Sequence, residues 1–373
     1  MTLKLTINQS ALKGVLKHAA SIPGTGVMPV LTHLHIEAIA PDKLRVHATD
    51  LNMSAVLNVP CVVDTPGEAV VPGKAFADLV AALPAGEIAL EHDDKKERMH
   101  VEAAGYTGQL SCLPVMEFPG YPQYELATED VLTVNWQQWV DAWQRVGFSM
   151  GQAKQSFGMT GLLVDIADGM VWFITTDRHR MSVDLVSSGA PGGITRQFII
   201  SGRHIAKAIA LFNVADPVKV YFDSKNMSFV QGNNALVCKL MEDVMPNWRE
   251  LVPKKDALPV VANVDKDVLA KAIKRVAVLS NEITQGVVLN MKSSDLELRS
   301  TESEIGKGST TVTLNAPVGE YTISFNAHYL LDVFGVIKTQ NVMMRFATDN
   351  EQAALITPDD STAHFKHVLM PIS

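Results

Sequence analysis

Cysteine is scarce. The 373 residues hold three, Cys61, Cys112 and Cys238, which are too scattered for a metal-binding spacing and leave one over from any pairing. That excludes a disulfide-stapled secreted scaffold and predicts a reducing, cytoplasmic setting. Long apolar runs are also missing, so no membrane span is expected. The opening Met1-Thr2-Leu3-Lys4-Leu5 reads as a strand and not as a leader. No Gly-rich phosphate loop, dinucleotide fingerprint, His-Glu-x-x-His pair or cysteine cluster occurs, so no cofactor and no metal are expected. Positive charge is short as well. The formal net charge is -8, whereas nucleic-acid binders usually show a basic excess.

What is present is a threefold repeat. A capped helix opening occurs as Thr6-Ile7-Asn8, Thr133-Val134-Asn135 and Asn263-Val264-Asp265. A polar pair follows as Thr49-Asp50, Thr176-Asp177 and Thr301-Glu302. A strand then runs into a second helix at Pro72, Ser201 and Asn326, and each third closes on a proline, Pro119, Pro246 or Pro371. The successive offsets are 127 and 130, 127 and 125, 129 and 125, and 127 and 125. A period of that size means tandem domains and not a solenoid. Proline- and charge-bearing stretches at Gly120 to Val131 and Trp248 to Ala262 mark the boundaries, giving domains at 1–122, 128–250 and 258–373.

Each third carries two helical windows: Asn8 onward and Pro72 onward, Asn135 to about Gln152 and Ser201 to Phe212, then Asp265 to Ser280 and Asn326 to Ile337. Asn8 is a good N-cap, and Leu12, Val15, Leu16 and Ala19 recur at helical spacing. Period-2 alternation at Leu34 to Ala38, Lys43 to His47 and Val218 to Phe222 predicts half-buried strands. Pro41-Asp42, Asp168-Gly169 and Gly232-Asn233 are turn signals, and Asp93 to Arg98 reads as a solvated hairpin tip. Helix starts within a third lie 64, 66 and 61 residues apart, so each domain reads as two half-units of one helix and several strands. The fold class is α+β.

Charge is unevenly placed. The six helix windows sum to +5 and the remaining chain to -13. Nine of the basic residues in those windows are candidates to face a polyanion: Lys13, Lys17, Lys74, Arg145, Arg203, Lys207, Lys271, Lys274 and Arg275. A helical face of that kind suits a phosphate backbone bound without sequence reading, while an acidic exterior keeps nucleic acid off other surfaces. One cluster suggests catalysis: Asp177, His179 and Ser182 combine an acid, an imidazole and a hydroxyl. Its acidic position recurs as Asp50 and Glu302 without the other two, which points to a turn of the fold.

Several strings in register with the repeat carry a resemblance. They are Thr176-Asp177-x-His179-Arg180-Met181, Leu279-Ser280-Asn281-Glu282, Val71-Pro72 leading into Phe76 and Leu79, Phe118-Pro119, Met245-Pro246-Asn247-Trp248-Arg249 and Leu369-Met370-Pro371. Over its full length the chain resembles the bacterial DNA polymerase III beta subunit, the sliding-clamp family. The resemblance implies three clamp domains, each of two helices packed on antiparallel sheets. Two chains would close head to tail as a homodimer, a six-domain ring with helices inside and sheets outside. The ring would encircle duplex DNA and tether the DNA polymerase III alpha subunit. It would be opened by a loader through the delta subunit, and would receive other polymerases and repair proteins through short apolar peptides. No bond would be made or broken by the ring.

Carried over by position, the implied peptide pocket uses Met159, Thr176, Arg178, His179, Met181, Pro246, Leu251, Val368, Met370, Pro371 and Ile372. The implied ring joint uses Val278 and Leu279, with Leu110 on the facing strand, and Ser149 to Gly158 matches a DNA-contact loop. The chain departs from the family at Arg178 (usually small), Glu250 (usually basic), Phe157-Gly158, Thr25 and the Ile372-Ser373 end. Those departures leave open a clamp paralogue in repair or mobile-element replication.

Overall fold

A computed structural model describes residues 3–23, 28–122, 131–151, 159–188, 194–243, 245–281, 283–301 and 306–372. Thr25, Phe157, Gly158, Glu282, Glu302 and Ser373, all named above, lie outside the described residues, as does most of the Ser149 to Gly158 loop.

All six long helices form where the windows placed them: α1 Gln9–Ala19, α2 Gly73–Ala82, α3 Trp136–Val146, α4 Gly202–Leu211, α6 Lys266–Ala277 and α7 Ala327–Val336, with α5 (Trp248–Leu251) a single turn. Three caps are explicit. Asn8 Oδ1 accepts from the amides of Ser10 and Ala11, Asp265 Oδ1 from those of Asp267 and Val268, and Asn326 Oδ1 from those of His328 and Tyr329. Each cap satisfies helix N–H groups that have no intrahelical partner. Two expectations need correcting. Pro72 is the cap before α2 and not its first residue. The third window stops at Val146, because Gly147 breaks the α-helix and a single 3-10 turn, Gly147–Ser149, follows.

Strands fill the intervals. The first third has β1 Lys4–Asn8, β2 His33–Ile39, β3 Lys43–Thr49, β4 Met53–Pro60, β5 Val62–Thr65, β6 Gly67–Pro72, β7 Glu87–Asp93, β8 Arg98–Ala103 and β9 Tyr106–Ser111. The middle third has β10 Val131–Val134, β11 Gly161–Ala167, β12 Met170–Thr176, β13 Arg180–Ser188, β14 Arg196–Ser201, β15 Val218–Phe222, β16 Asn226–Gln231 and β17 Asn234–Met241. The last third has β18 Val260–Asp265, β19 Gly286–Ser300, β20 Ser309–Asn326, β21 Asn341–Phe346, β22 Ala354–Pro358 and β23 Lys366–Leu369. Asp168 and Gly169 form a two-residue hairpin turn at φ 53° and 72° between Ala167 and its partner Met170, the left-handed geometry that matches strand twist. Asp93 pairs with Arg98 across the predicted charged tip.

The chain divides into two compact units, 1–136 with 203–240 and 137–202 with 241–373, so the division runs through the middle third. In the first unit an eight-stranded antiparallel sheet runs β6-β2-β3-β4-β17-β16-β15-β10. Its seam joins β4 to β17, with Val56 opposite Ala235 and Met53 opposite Cys238. In the second unit the equivalent sheet runs β14-β11-β12-β13-β23-β22-β21-β18, and its seam sets Met181 opposite Val368. Each sheet therefore takes the inner four strands of one third and the outer four of the next. Two sets are left over. One is β5-β1-β7-β8-β9 in the first unit, ending on β9. The other is the β19–β20 hairpin in the second, where Ser309–Thr313 pairs with Asp295–Arg299.

The helices bury their apolar stripes against these sheets. Leu12, Leu16, Phe76 and Val80 are buried in the first unit, and Leu269, Ile273, Leu330 and Val333 in the second.

Candidate partner site and helical face

The repeated polar pair builds the same turn in both units. Asp50 Oδ1 accepts from the amides of Asn52 and Met53 at 3.0 and 2.7 Å, and Asp177 Oδ1 from those of His179 and Arg180 at 3.0 Å each. Between acid and acceptor amides sit Leu51 at φ 70° and Arg178 at φ 80°, both left-handed. The threonines cap the same turn, accepting from the amides of Leu51 and Arg178. The acid is thus a structural part of the turn.

The suspected catalytic cluster does not assemble. Asp177 spends its second oxygen on Arg180 Nε at 3.0 Å, and His179 is exposed and stacks toward Tyr329. Ser182 lies within β13 and bonds Ser149 Oγ at 2.7 Å and His367 Nδ1 at 2.8 Å. That serine–histidine contact is completely buried, and burial lowers the His367 pKa to about 3. A hydroxyl without access to solvent cannot meet a substrate: Asp177 and His179 sit in the turn before β13, whereas Ser182 is buried within the strand.

Around the second seam the implied pocket residues do gather. Met181 and Val368 are opposite each other and belong to one buried cluster with Ile174, Leu355 and Trp248, edged by Trp172, Met245 and Val252. Thr176 is buried beside Met181, its hairpin partner. Two of the implied apolar side chains reach solvent: Leu251 is 50% and Met370 44% exposed. Pro246, Arg178 and His179 are also exposed, while Met159, Pro371 and Ile372 are half-buried. The chain end is fixed, since the Met370 amide donates to the His179 carbonyl at 2.9 Å and that of Ile372 to Ser324 at 2.8 Å.

Arg180 locks this turn to α7. Its guanidinium meets Asp177 at 3.0 Å, Asp332 at 2.7 Å and the Phe148 carbonyl at 2.9 Å, and it lies 4.2 Å over the Tyr329 ring. Residue-type reasoning missed Arg180, Asp332 and Tyr329, because their partners lie far off in sequence. It also missed Asp165, although an acid inside the apolar run Gly161–Ala167 was a visible signal.

The helical faces carry the expected cations, but not all of them are free. Among the described residues no ion pair holds Lys13, Lys17, Lys271, Lys274 or Arg275, and all five are exposed. Lys13, Lys17 and Lys74 line a cavity of about 600 Å³ between α1 and α2. Lys207 is half-buried, and with Lys17 it adds to burial in lowering the His18 pKa. Three expected cations are committed elsewhere: Arg145 to buried Asp184, Arg203 to Asp50 at 2.8 Å and to the Ile22 carbonyl, and Lys74 to Asp78 at 2.7 Å. Helical position alone did not reveal Asp184 or Asp50, whereas Asp78 lies one turn from Lys74 on the same helix. Of the residues implied for a ring joint, Val278 is 74% exposed, while Leu279 and Leu110 are half-buried.

Profiles for the N-terminal, central and C-terminal domains of DNA polymerase III beta subunit match residues 3–122, 133–247 and 249–373. The chain belongs to the DNA polymerase III beta subunit family. The beta sliding clamp of Caulobacter vibrioides is 27% identical over 379 residues, covering 99% of this chain and 100% of that protein. The beta sliding clamp of Escherichia coli K12 is 27% identical over 375 residues, with the same coverage. The crystal structure of the DNA polymerase sliding clamp from Caulobacter crescentus superposes with a TM-score of 0.88 at 26% identity, covering 100% of both chains. The fold is three clamp domains, and the family is one of sliding clamps.

Proposed function

We propose that this chain is a processivity clamp that makes and breaks no bond. Two copies join head to tail around duplex DNA in the cytoplasm and tether the DNA polymerase III alpha subunit. The carrying observation is the pattern of seams. In both eight-stranded sheets the inner four strands of one third pair with the outer four of the next. The two sets left over are the partners a third seam needs, so β9 of one copy pairs with Ser309–Leu314 of another. Neither Tyr106–Ser111 nor Ser309–Leu314 contains a charged residue, whereas edge strands that avoid pairing are usually guarded by charge. Leu110 lies on the first edge, and Val278 and Leu279 flank the second. A heterologous contact of this kind closes when the rotation allows it.

Domain limits near 1–122, 128–250 and 258–373 fit this scheme. Lys13, Lys17, Lys271, Lys274 and Arg275 supply the weak, sequence-independent phosphate contacts that a sliding ring needs. The exposed Leu251 and Met370 over the Met181–Val368 floor receive short apolar peptides, including those of the loader's delta subunit, other polymerases and repair proteins. Methionines make such a surface adaptable. Tethering then raises the polymerase's effective concentration at the primer end.

Arg178 and Glu250, exposed where family members commonly carry a small and a basic residue, support a second reading. In it the clamp is a paralogue serving repair or mobile-element replication.

The test is topological. Loaded onto a nicked circular plasmid the protein should co-elute with DNA in gel filtration, and linearising the plasmid should release it. Equal retention on circle and line would contradict encirclement.

A further inference from the structure

Asp165 is the single charged residue of β11 and is 1% exposed. Its Oδ2 accepts from the Trp248 indole Nε1 at 2.7 Å and also meets the Arg249 guanidinium. That guanidinium lies 4.4 Å over the Trp248 ring, which packs against Trp172 at 5.5 Å. A carboxylate buried in an apolar sheet face is costly unless charged donors hold it. Here both donors come from α5, the single turn that follows Pro246 and ends at Leu251.

The first unit repeats the device. The Tyr121 hydroxyl donates to Glu37 Oε2 at 3.0 Å, Arg45 pairs with the same carboxylate at 3.0 Å, and Arg45 lies 5.2 Å from the Tyr121 ring centre. Glu37 and Asp165 are 128 residues apart and Tyr121 and Trp248 are 127 apart, which is the period of the repeat. In each unit the chain leaving a domain is pinned to that domain's sheet by an aromatic hydrogen bond to a carboxylate. In the second unit the pinned segment carries exposed Leu251 next to Val252, which packs against the cluster of Met181 and Val368.

We infer that Asp165 is a positioning residue for partner binding: it holds Trp248 and Arg249 so that Pro246 and Leu251 form a fixed wall of the peptide pocket. The inference rests on the pocket reading given above. α5 is too short to be stable alone, and besides the packing of Trp248 and Val252 on the apolar cluster the latch is what fixes its orientation; without it each captured peptide would have to order the turn on binding.

The experiment titrates the fluorescein-labelled carboxy-terminal peptide of the host's replicative polymerase against full-length variants by anisotropy. Asp165→Asn should weaken binding at least about tenfold, the effect of losing one charge-assisted contact. It should leave the mass in solution unchanged and red-shift tryptophan emission as Trp248 loosens. Trp248→Phe keeps the ring but removes the donor. It should also weaken binding, and the double variant should be no weaker than Asp165→Asn alone. Wild-type affinity in Asp165→Asn overturns the latch. If that variant does not fold, wild-type affinity in Trp248→Phe does the same. A chain lacking Met370 to Ser373 separates the two readings. If it binds as wild type the pocket itself is misplaced, and if it alone fails to bind the pocket stands and the latch falls.

Discussion

The two seams share a backbone and differ in what they show to solvent. At the first, Ser54 is opposite Val237, and Lys239 stands two residues further along β17. At the second, Met181 is opposite Val368, and Met370 stands in the equivalent place. Both seams use the same acid-anchored turn, and both tie it by arginine, but Arg203 at the first is half exposed while Arg180 at the second is 9% exposed with three polar partners. One scaffold has thus become a polar joint in one unit and an apolar, rigidly backed recess in the other. On the proposed reading, binding is a property of the side chains laid on the repeat, and the repeat itself supplies only the place.

The comparison can be broken from its strongest side. Removing Met370 to Ser373 should abolish polymerase-peptide binding, with an affinity loss above about a hundredfold, since it deletes one wall of a buried anchor site; a titration that still saturates would show the recess is not the site. Converting the second seam to the first, with Met181→Ser and Met370→Lys together, should have nearly as large an effect while circular plasmid is still retained. The arginines sharpen it further. Arg180→Ala should cost about 3 kcal/mol, because it leaves the buried Asp177 carboxylate without its charge partner. Arg203→Ala should cost about 1 kcal/mol, as for a partly exposed pair. Urea unfolding measures both, and equal losses would refute the contrast.

The smallest expected effect concerns protons. Each unit has a completely buried histidine whose pKa is depressed: His47, lowered to about 4 by burial and then by His35, and His367, lowered to about 3 by burial and then by Arg180. Their folded pKa values lie below the unfolded value near 6.5. The stability they contribute is therefore complete above pH 6.5 and is lost as pH falls toward 4 and 3 respectively. His367→Gln should flatten the stability profile below pH 6.5, and an unchanged slope would assign it to other groups.

Much of this was legible in the chain. Asn8, Asp265 and Asn326 announced their helices because capping is local chemistry, and alternation announced β2, β3 and β15 for the same reason. The turn at Asp177 was readable because Asp50 repeats it. The Asp165–Trp248, Arg180–Asp332 and Arg145–Asp184 contacts were not, since each joins residues at least 39 apart in sequence, a separation that only folding closes. Two of the nine basic candidates, Arg145 and Arg203, proved to be held by acids at least 39 residues away, while Lys74 pairs with Asp78 one turn along its own helix.

The central claim is that β9 and Ser309–Leu314 are two halves of one missing seam. Light scattering across a dilution series tests it most directly. The account predicts a mass near twice 40.6 kDa for the wild type, falling to the single-chain value in Leu279→Asp. A wild type of single-chain mass at every concentration, or a Leu279→Asp variant that stays double, would contradict it.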